Sequence, residues 1–166
     1  MSHLKFPADD YPECPAGLWP ATCIDVVDFG LEDTDYGPTY KIGLVFQVNV
    51  DKEVYYLRKK MPFKSHPRST MGKTVKSWTG SLPKKDEDPA DYYRKQAQIN
   101  VIHEPKIDGD GVWVNIDSVL PAGNVEIPRI DLEGYRIPDG GENQGQSVIH
   151  EAPATDAGEF PYGLSK

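Results

Sequence analysis

Between Tyr40 and Val50 the chain alternates: Tyr40, Ile42, Leu44, Phe46, Val48 and Val50 are apolar, and Lys41, Gly43, Gln47 and Asn49 stand between them. Only an extended strand turns every second side chain to the same side, so this stretch is a β-strand with one face on a core. Its other face meets water or a ligand. The neighbouring segments read the same way. "LWPATCIDVVDF" (18–29) is rich in β-branched and aromatic residues, and "GLEDTDYGP" (30–38) reads as a loop.

Asp51-Lys52 makes a tight connection to a third strand, "EVYYLRKKM", ended by Pro62. In it Tyr55, Leu57 and Met61 share the core face, while Tyr56, Arg58 and Lys60 share the opposite one. The stretch 65–80 is punctuated as a helix, with Ser65 as cap, Pro67 in the first turn and Gly80 past the end. Met71, Val75 and Trp78 fall on its apolar side, and Ser69, Lys73 and Lys76 on the other. A polar insertion, with a helical turn capped by Asp88, leads to two further strands, "QAQINVIHE" and "GVWVNIDSVL", joined by an Asp-Gly turn. Five strands with a helix between the third and fourth is the connectivity of an OB-fold, a small, partly open all-β barrel. The expected layout is an irregular lead-in over 1–17, the barrel over 18–122, and an acidic, largely disordered tail over 123–166.

Net charge is −8, but it is segregated: residues 52–95 carry +7, flanked by −7 over 1–51, −3 over 96–122 and −5 over 123–166. Such segregation creates a local positive field that the net charge hides. No apolar stretch is long enough to cross a membrane, and the N-terminus lacks a signal peptide's apolar core. A cytoplasmic protein is expected, with Cys14 and Cys23 as reduced thiols.

"GKT" at Gly72–Thr74 suggests a phosphate-binding loop, but that motif needs a glycine where Pro67 stands. "DGDG" at 108–111 starts like a calcium loop and then offers Val112 and Trp113 in place of ligands. His66, His103, Cys14 and Cys23 share no zinc-site spacing. No catalytic constellation emerges, so a non-enzymatic protein without cofactor or metal is expected.

What remains is the basic block, where Tyr55, Tyr56, Phe63 and Trp78 are interleaved with Arg58, Lys59, Lys60, Lys64 and Arg68. Single-stranded nucleic acid is held by a positive groove that follows phosphates while bases stack on rings. In OB-folds that groove lies on the face around the second and third strands. The candidate contacts are Lys41, Gln47, Tyr56, Arg58, Lys59, Lys60, Phe63, Lys64, Arg68, Lys73, Lys76 and Trp113. Trp78 and Tyr55 are assigned to the core. Trp113 points out of the barrel, as a stacking platform or packed under the tail. The competing reading is a β-barrel adaptor that docks an acidic protein on the same face.

The stretches "YPECPAGLWPATCIDVVDFGLEDTDYGPTYKIGLVFQV", "YYLRKKMPFKSHPRSTMGKTVKSWTG", "INVIHE" and "VWVNIDSVLPAG" together resemble the OB-fold single-stranded-DNA-binding proteins of bacteriophages and prophages. Pro15-Ala16-Gly17, Arg58 to Lys60, Trp78 to Gly80 and His103 stand where that family shows its features. The polar "SLPKKDEDPADYYRKQ" and Arg94-Lys95-Gln96 depart from it. The resemblance implies protection of single-stranded DNA in phage-type replication or recombination, in the host cytoplasm, without a catalytic step. It also implies an acidic tail that recruits replication or recombination proteins, with Phe160 and Tyr162 as anchors, against the alternative of a solubilising tail with no partner. A homo-oligomer is among the expected partners.

Overall fold

A computed structural model describes residues 13–107, 109–141 and 144–151. Its elements are β1 (Gly17–Thr34), β2 (Gly37–Val50), β3 (Glu53–Pro62), α1 (Thr70–Thr79), β4 (Gln96–Pro105), β5 (Val112–Pro121) and a short β6 (Gln146–Ser147). The strands form one antiparallel sheet in the order β3-β2-β1-β4-β5, with β6 added to β1. Among the described residues the fold is thus mostly β with one α-helix, as the alternation and punctuation imply.

β1 is the strand that all others depend on. Its N-terminal part pairs with β4, from Gly17↔Val101 to Thr22↔Gln96, and from Ala21 onward it pairs with β2 on its other edge. Where β4 ends, β6 takes over that edge at Val27 and Asp28. Register shifts at Cys23/Asp25 and Asp28/Gly30 bend the strand. Gly30, at φ +70, supplies the left-handed backbone the second one needs. β3 and β5, at the two ends of the strand order, also touch. There Lys59 Nζ donates to the Ile116 carbonyl at 3.0 Å.

The apolar face of β2 behaves as the alternation requires: Ile42, Leu44, Phe46, Val48 and Val50 are all buried. They pack with Cys23 and Val26 of β1, Ile99 and Val101 of β4, and Val119 of β5. α1 adds Met71, Val75 and Trp78 to this core. The Trp78 ring meets Phe46 edge-on at 5.4 Å, and its N–H donates to the Gln96 carbonyl, so the buried indole leaves no polar atom unpaired. Gly80, at φ +93, ends the helix as expected. The cap is Ser69, not Ser65: the Ser69 hydroxyl accepts from the Gly72 N–H, and Pro67 lies in the turn before the helix. Cys14 and Cys23 are buried and free, and burial pushes their thiols up to about 11 and about 12.

Two expectations are corrected. The segment 30–38 is no loop, because β1 and β2 run on as a two-stranded arm to a turn at Asp35-Tyr36. The Thr34 hydroxyl pins that turn, donating to Gly37 O at 2.7 Å. An arm that leaves the core needs no apolar alternation, which is why its acidic sequence reads as loop. Tyr40 lies on this arm and is 60% exposed, so it is not a core residue. The second correction concerns the tail. Within 123–151, residues 129–135 and 146–150 are not disordered but pack against the sheet. Residues 152–166, with Phe160 and Tyr162, lie outside the described residues.

A Cβ added at Gly72 would stand 2.1 Å from the His66 carbonyl oxygen, so the glycine of "GKT" is there for close packing of the helix start. Gly72→Ala should therefore destabilise the fold by ~1–3 kcal/mol, the usual cost of overpacking. Urea unfolding followed by tryptophan fluorescence would measure it, and an unchanged midpoint would contradict the packing role.

Candidate nucleic-acid interface

On β3 the period-two rule sends Tyr56, Arg58 and Lys60 to the outer face of the sheet and Tyr55, Leu57, Lys59 and Met61 inward. Tyr55 and Leu57 pack on the core and Met61 is buried within it, as expected. The outer face, however, is divided into a covered part and an open part.

The covered part is held by residues 129–135. Gln47, fully buried, donates from Nε2 to the Arg129 carbonyl at 2.9 Å and accepts from the Asp131 N–H at 2.5 Å. The Tyr56 hydroxyl donates to the Asp131 carbonyl at 2.5 Å, and its ring lies 5.6 Å from that of Tyr135. Ile130, Leu132 and Tyr135 cover Ile24, Val27 and Val45, a second small core on the outside of the sheet. Asp25, completely buried, anchors the segment. It accepts from its neighbour Val26 N–H at 2.8 Å, from the Tyr135 hydroxyl at 2.5 Å and from the Ser147 hydroxyl at 2.5 Å. The His150 ring N–H adds a bond to the Ile24 carbonyl at 2.7 Å. Burial, followed by the bond to Asp25, pushes the Tyr135 hydroxyl well above the ordinary tyrosine range.

The open part lies toward the arm. Phe29 rests on the sheet over Gly43, where a Cβ would stand 2.8 Å from its ring. Arg58 and Lys60 lie over that ring, 4.9 and 4.3 Å from its centroid. Lys60 also pairs with Glu32 at 2.8 Å, a surface contact worth little in stability. Beyond the end of β3, Phe63 keeps 49% of its surface and stands beside Tyr40, whose carbonyl accepts from the Phe63 N–H at 2.8 Å. Lys41 is half-buried beside them. Lys64 and Arg68 follow on the exposed connection to α1, and Lys73 and Lys76 face outward from the helix.

Of the candidate contacts, the structure thus brings Arg58, Lys60 and Lys41 onto the outer face at its open end. Phe63, opposite Tyr40, shares the other strand phase, and Lys64, Arg68, Lys73 and Lys76 follow it as exposed residues. Three are corrected. Gln47 and Tyr56 are taken up by residues 129–135. Lys59 points inward to the β5 edge, where burial lowers its pKa and Asp117 partly offsets the effect. Trp113 is 58% exposed on β5, with the Lys106 ammonium 4.6 Å from its ring centre, and is not packed under the described part of the tail. Phe29 and Tyr40 were missed. Phe29 sits at the end of an apolar run, and Tyr40 falls in phase with the core face of its strand.

The sequence matches no protein-family model, and no curated protein is similar enough to it to count as a match.

Tyr135→Phe removes a donor from a buried carboxylate and should cost ~1.5–3 kcal/mol, the range for hydrogen bonds to charged groups. The sign of its pH dependence follows from the raised pKa. The hydroxyl's contribution is complete below the ordinary tyrosine value of 10.0 and is lost as pH climbs from there through the raised value. Unfolding at pH 7 and in strong alkali should therefore show the wild type losing part of its advantage over Tyr135→Phe as pH rises. An equal gap at both pH values would contradict the assigned bond.

Proposed function

We propose that the protein is a non-enzymatic single-stranded-DNA-binding protein built on an OB-type barrel. The barrel reading is supported by the strand order, by the helix between β3 and β4, and by the touching edges of β3 and β5. The observation that carries the binding reading is the stretch from Val54 to Lys85, which contains no Asp or Glu. Within it Arg58, Lys60, Lys64, Arg68, Lys73 and Lys76 all face solvent. Among the described residues, the ion pair within this set is Lys60 with Glu32. Cations that, Lys60 apart, have no acidic partner among the described residues, together with the exposed rings of Phe63 and Tyr40 at the end of β3, suit a ligand that brings regularly spaced negative charge and planar groups.

In this proposal the strand does not run over the centre of the β1–β2–β3 face, because residues 129–135 occupy it. It follows the open end, from Arg58 and Lys60 past Phe63 and Lys64 toward the outer side of α1. Such a protein shields single-stranded DNA in phage-type replication or recombination. The second reading, an adaptor for an acidic protein, rests on the same cations and differs in needing no rings. A filter-binding assay with bare oligonucleotide separates the two, since an adaptor would retain it weakly and without dependence on length.

Binding to oligo-dT should weaken with salt, log K falling by ~0.7 per phosphate neutralised. Replacing Arg58, Lys64 and Lys73 together by Ala should lower affinity for all sequences alike and make that slope shallower by about 0.7 for each contact removed. Lys59→Ala should instead leave the slope alone and lower stability. Affinity independent of salt would overturn the proposal.

A further inference from the structure

Where β2 leaves the core, a cleft of about 360 Å³ lies between the arm and the end of β3, at the lower end of the range for small-molecule sites. Tyr40 and Phe63 line it together with Ile42, and Lys41 is at its side. Two carboxylates also line it, Asp28 from β1 and Asp88 from the turn before β4. The two rings keep 60% and 49% of their surface exposed, an apolar area that the protein's own packing does not cover. Lys64, next to Phe63 in the chain, is exposed and lies on the proposed basic path between Lys60 and Arg68, so the cleft adjoins that path.

Both carboxylates are exposed, and each is tied to the backbone through one oxygen. Asp28 Oδ1 accepts from the Gly30 N–H at 2.7 Å, and Asp88 Oδ1 accepts from the Ala90 N–H at 3.0 Å. These backbone bonds fix both side chains and leave each Oδ2 with no hydrogen-bond partner among the described residues. An ionised carboxylate accepts and has no proton to give. Cytosine and adenine carry an exocyclic amino group that donates, whereas thymine presents a carbonyl oxygen in that place. Anions at the mouth of a phosphate-binding strip oppose binding in general, so their presence at an aromatic cleft suits readout of a donor.

We infer that this cleft takes one unstacked base of the bound strand and favours bases with an exocyclic amino group. Asp28 and Asp88 accept from that group, Tyr40 and Phe63 contact the ring, and Lys41 and Lys64 hold the adjoining phosphates. The inference rests on the single-stranded-DNA reading and adds a preference to it.

Fluorescence anisotropy with oligo-dC and oligo-dT of equal length, at pH 8 and fixed salt, tests it. Wild-type protein should bind oligo-dC roughly tenfold more tightly. In Asp28→Asn and Asp88→Asn the side-chain oxygen can still accept the backbone bond, but the free acceptor becomes an amide donor. The ratio of the two affinities should therefore fall to one or below, even though loss of negative charge raises both. A charge effect alone would raise both and leave the ratio where it was. Equal wild-type affinities, or a ratio that neither substitution moves, would overturn the cleft assignment and leave single-strand binding standing. Binding of neither oligomer would overturn the single-strand reading itself, and the cleft with it.

Discussion

Asp25 is a carboxylate with no exposed surface, and much of the outer architecture follows from that. A buried carboxylate is tolerated only when donors replace its lost water. One donor is local, the N–H of Val26, and the other two come from Tyr135 and Ser147, more than a hundred residues along the chain. The C-terminal segment is therefore bound to the sheet by a polar demand as well as an apolar one. Its Ile130, Leu132 and Tyr135 bury Ile24, Val27 and Val45, which would otherwise form a bare patch on the outside of the sheet. The two demands coincide because the register shift between Cys23 and Asp25 turns Ile24 and Asp25 away from the inner core while Cys23 and Val26 stay in it.

That anchoring decides where a ligand can lie. A segment that satisfies Gln47 at both ends of its amide and also takes the Tyr56 hydroxyl is not a loose cover. Displacing it would leave a buried amide and a buried carboxylate short of partners, each at a cost of ~1–3 kcal/mol or more. Phosphates held over the centre of the face would have to contribute more than that sum. The open end imposes no such cost, and there Arg58, Lys60 and Phe29 are already arranged on a flat stretch of strand made possible by Gly43.

Elements ruled by burial were legible in the sequence. The alternation of β2, the inward face of β3 and the Met71–Val75–Trp78 side of α1 each repeat with the period of the structure they form. The arm at 30–38 was not legible, because a two-stranded ribbon outside the core is under no burial constraint and its residues carry no period. Tyr40 was misassigned for the same reason: it continues the phase of β2 past the point where the core stops. The segment 129–135 escaped because three apolar residues spread over six positions resemble a polar tail. What holds it are backbone groups bonded to Gln47 and Tyr56, and these leave no mark in composition. For the site, the charge block and the outward phase of Arg58 and Lys60 were visible, but the cover over Gln47 and Tyr56 and the inward course of Lys59 were not taken into account. Lys59 sits between Arg58 and Lys60 and differs from them only in strand parity, which carries it to the Ile116 carbonyl.

The same parity gives the protein its electrostatic character. In an acidic chain, cations left at random would find carboxylates nearby and lose their field to them. Here the acids lie before residue 54 and after residue 85, and the strand and helix between present their cations on outward faces. Among the described residues Lys60 alone of the outward set reaches across to an acid, Glu32, and that pair is exposed enough to exchange partners at little cost. The backbone of a nucleic acid could take the place of Glu32 without leaving a buried charge behind. Exchange at Gln47 or Asp25 would strand a buried polar group. The contrast between exposed, replaceable contacts at one end of the sheet and buried, irreplaceable ones at its centre is the physical ground for placing a bound strand at the open end.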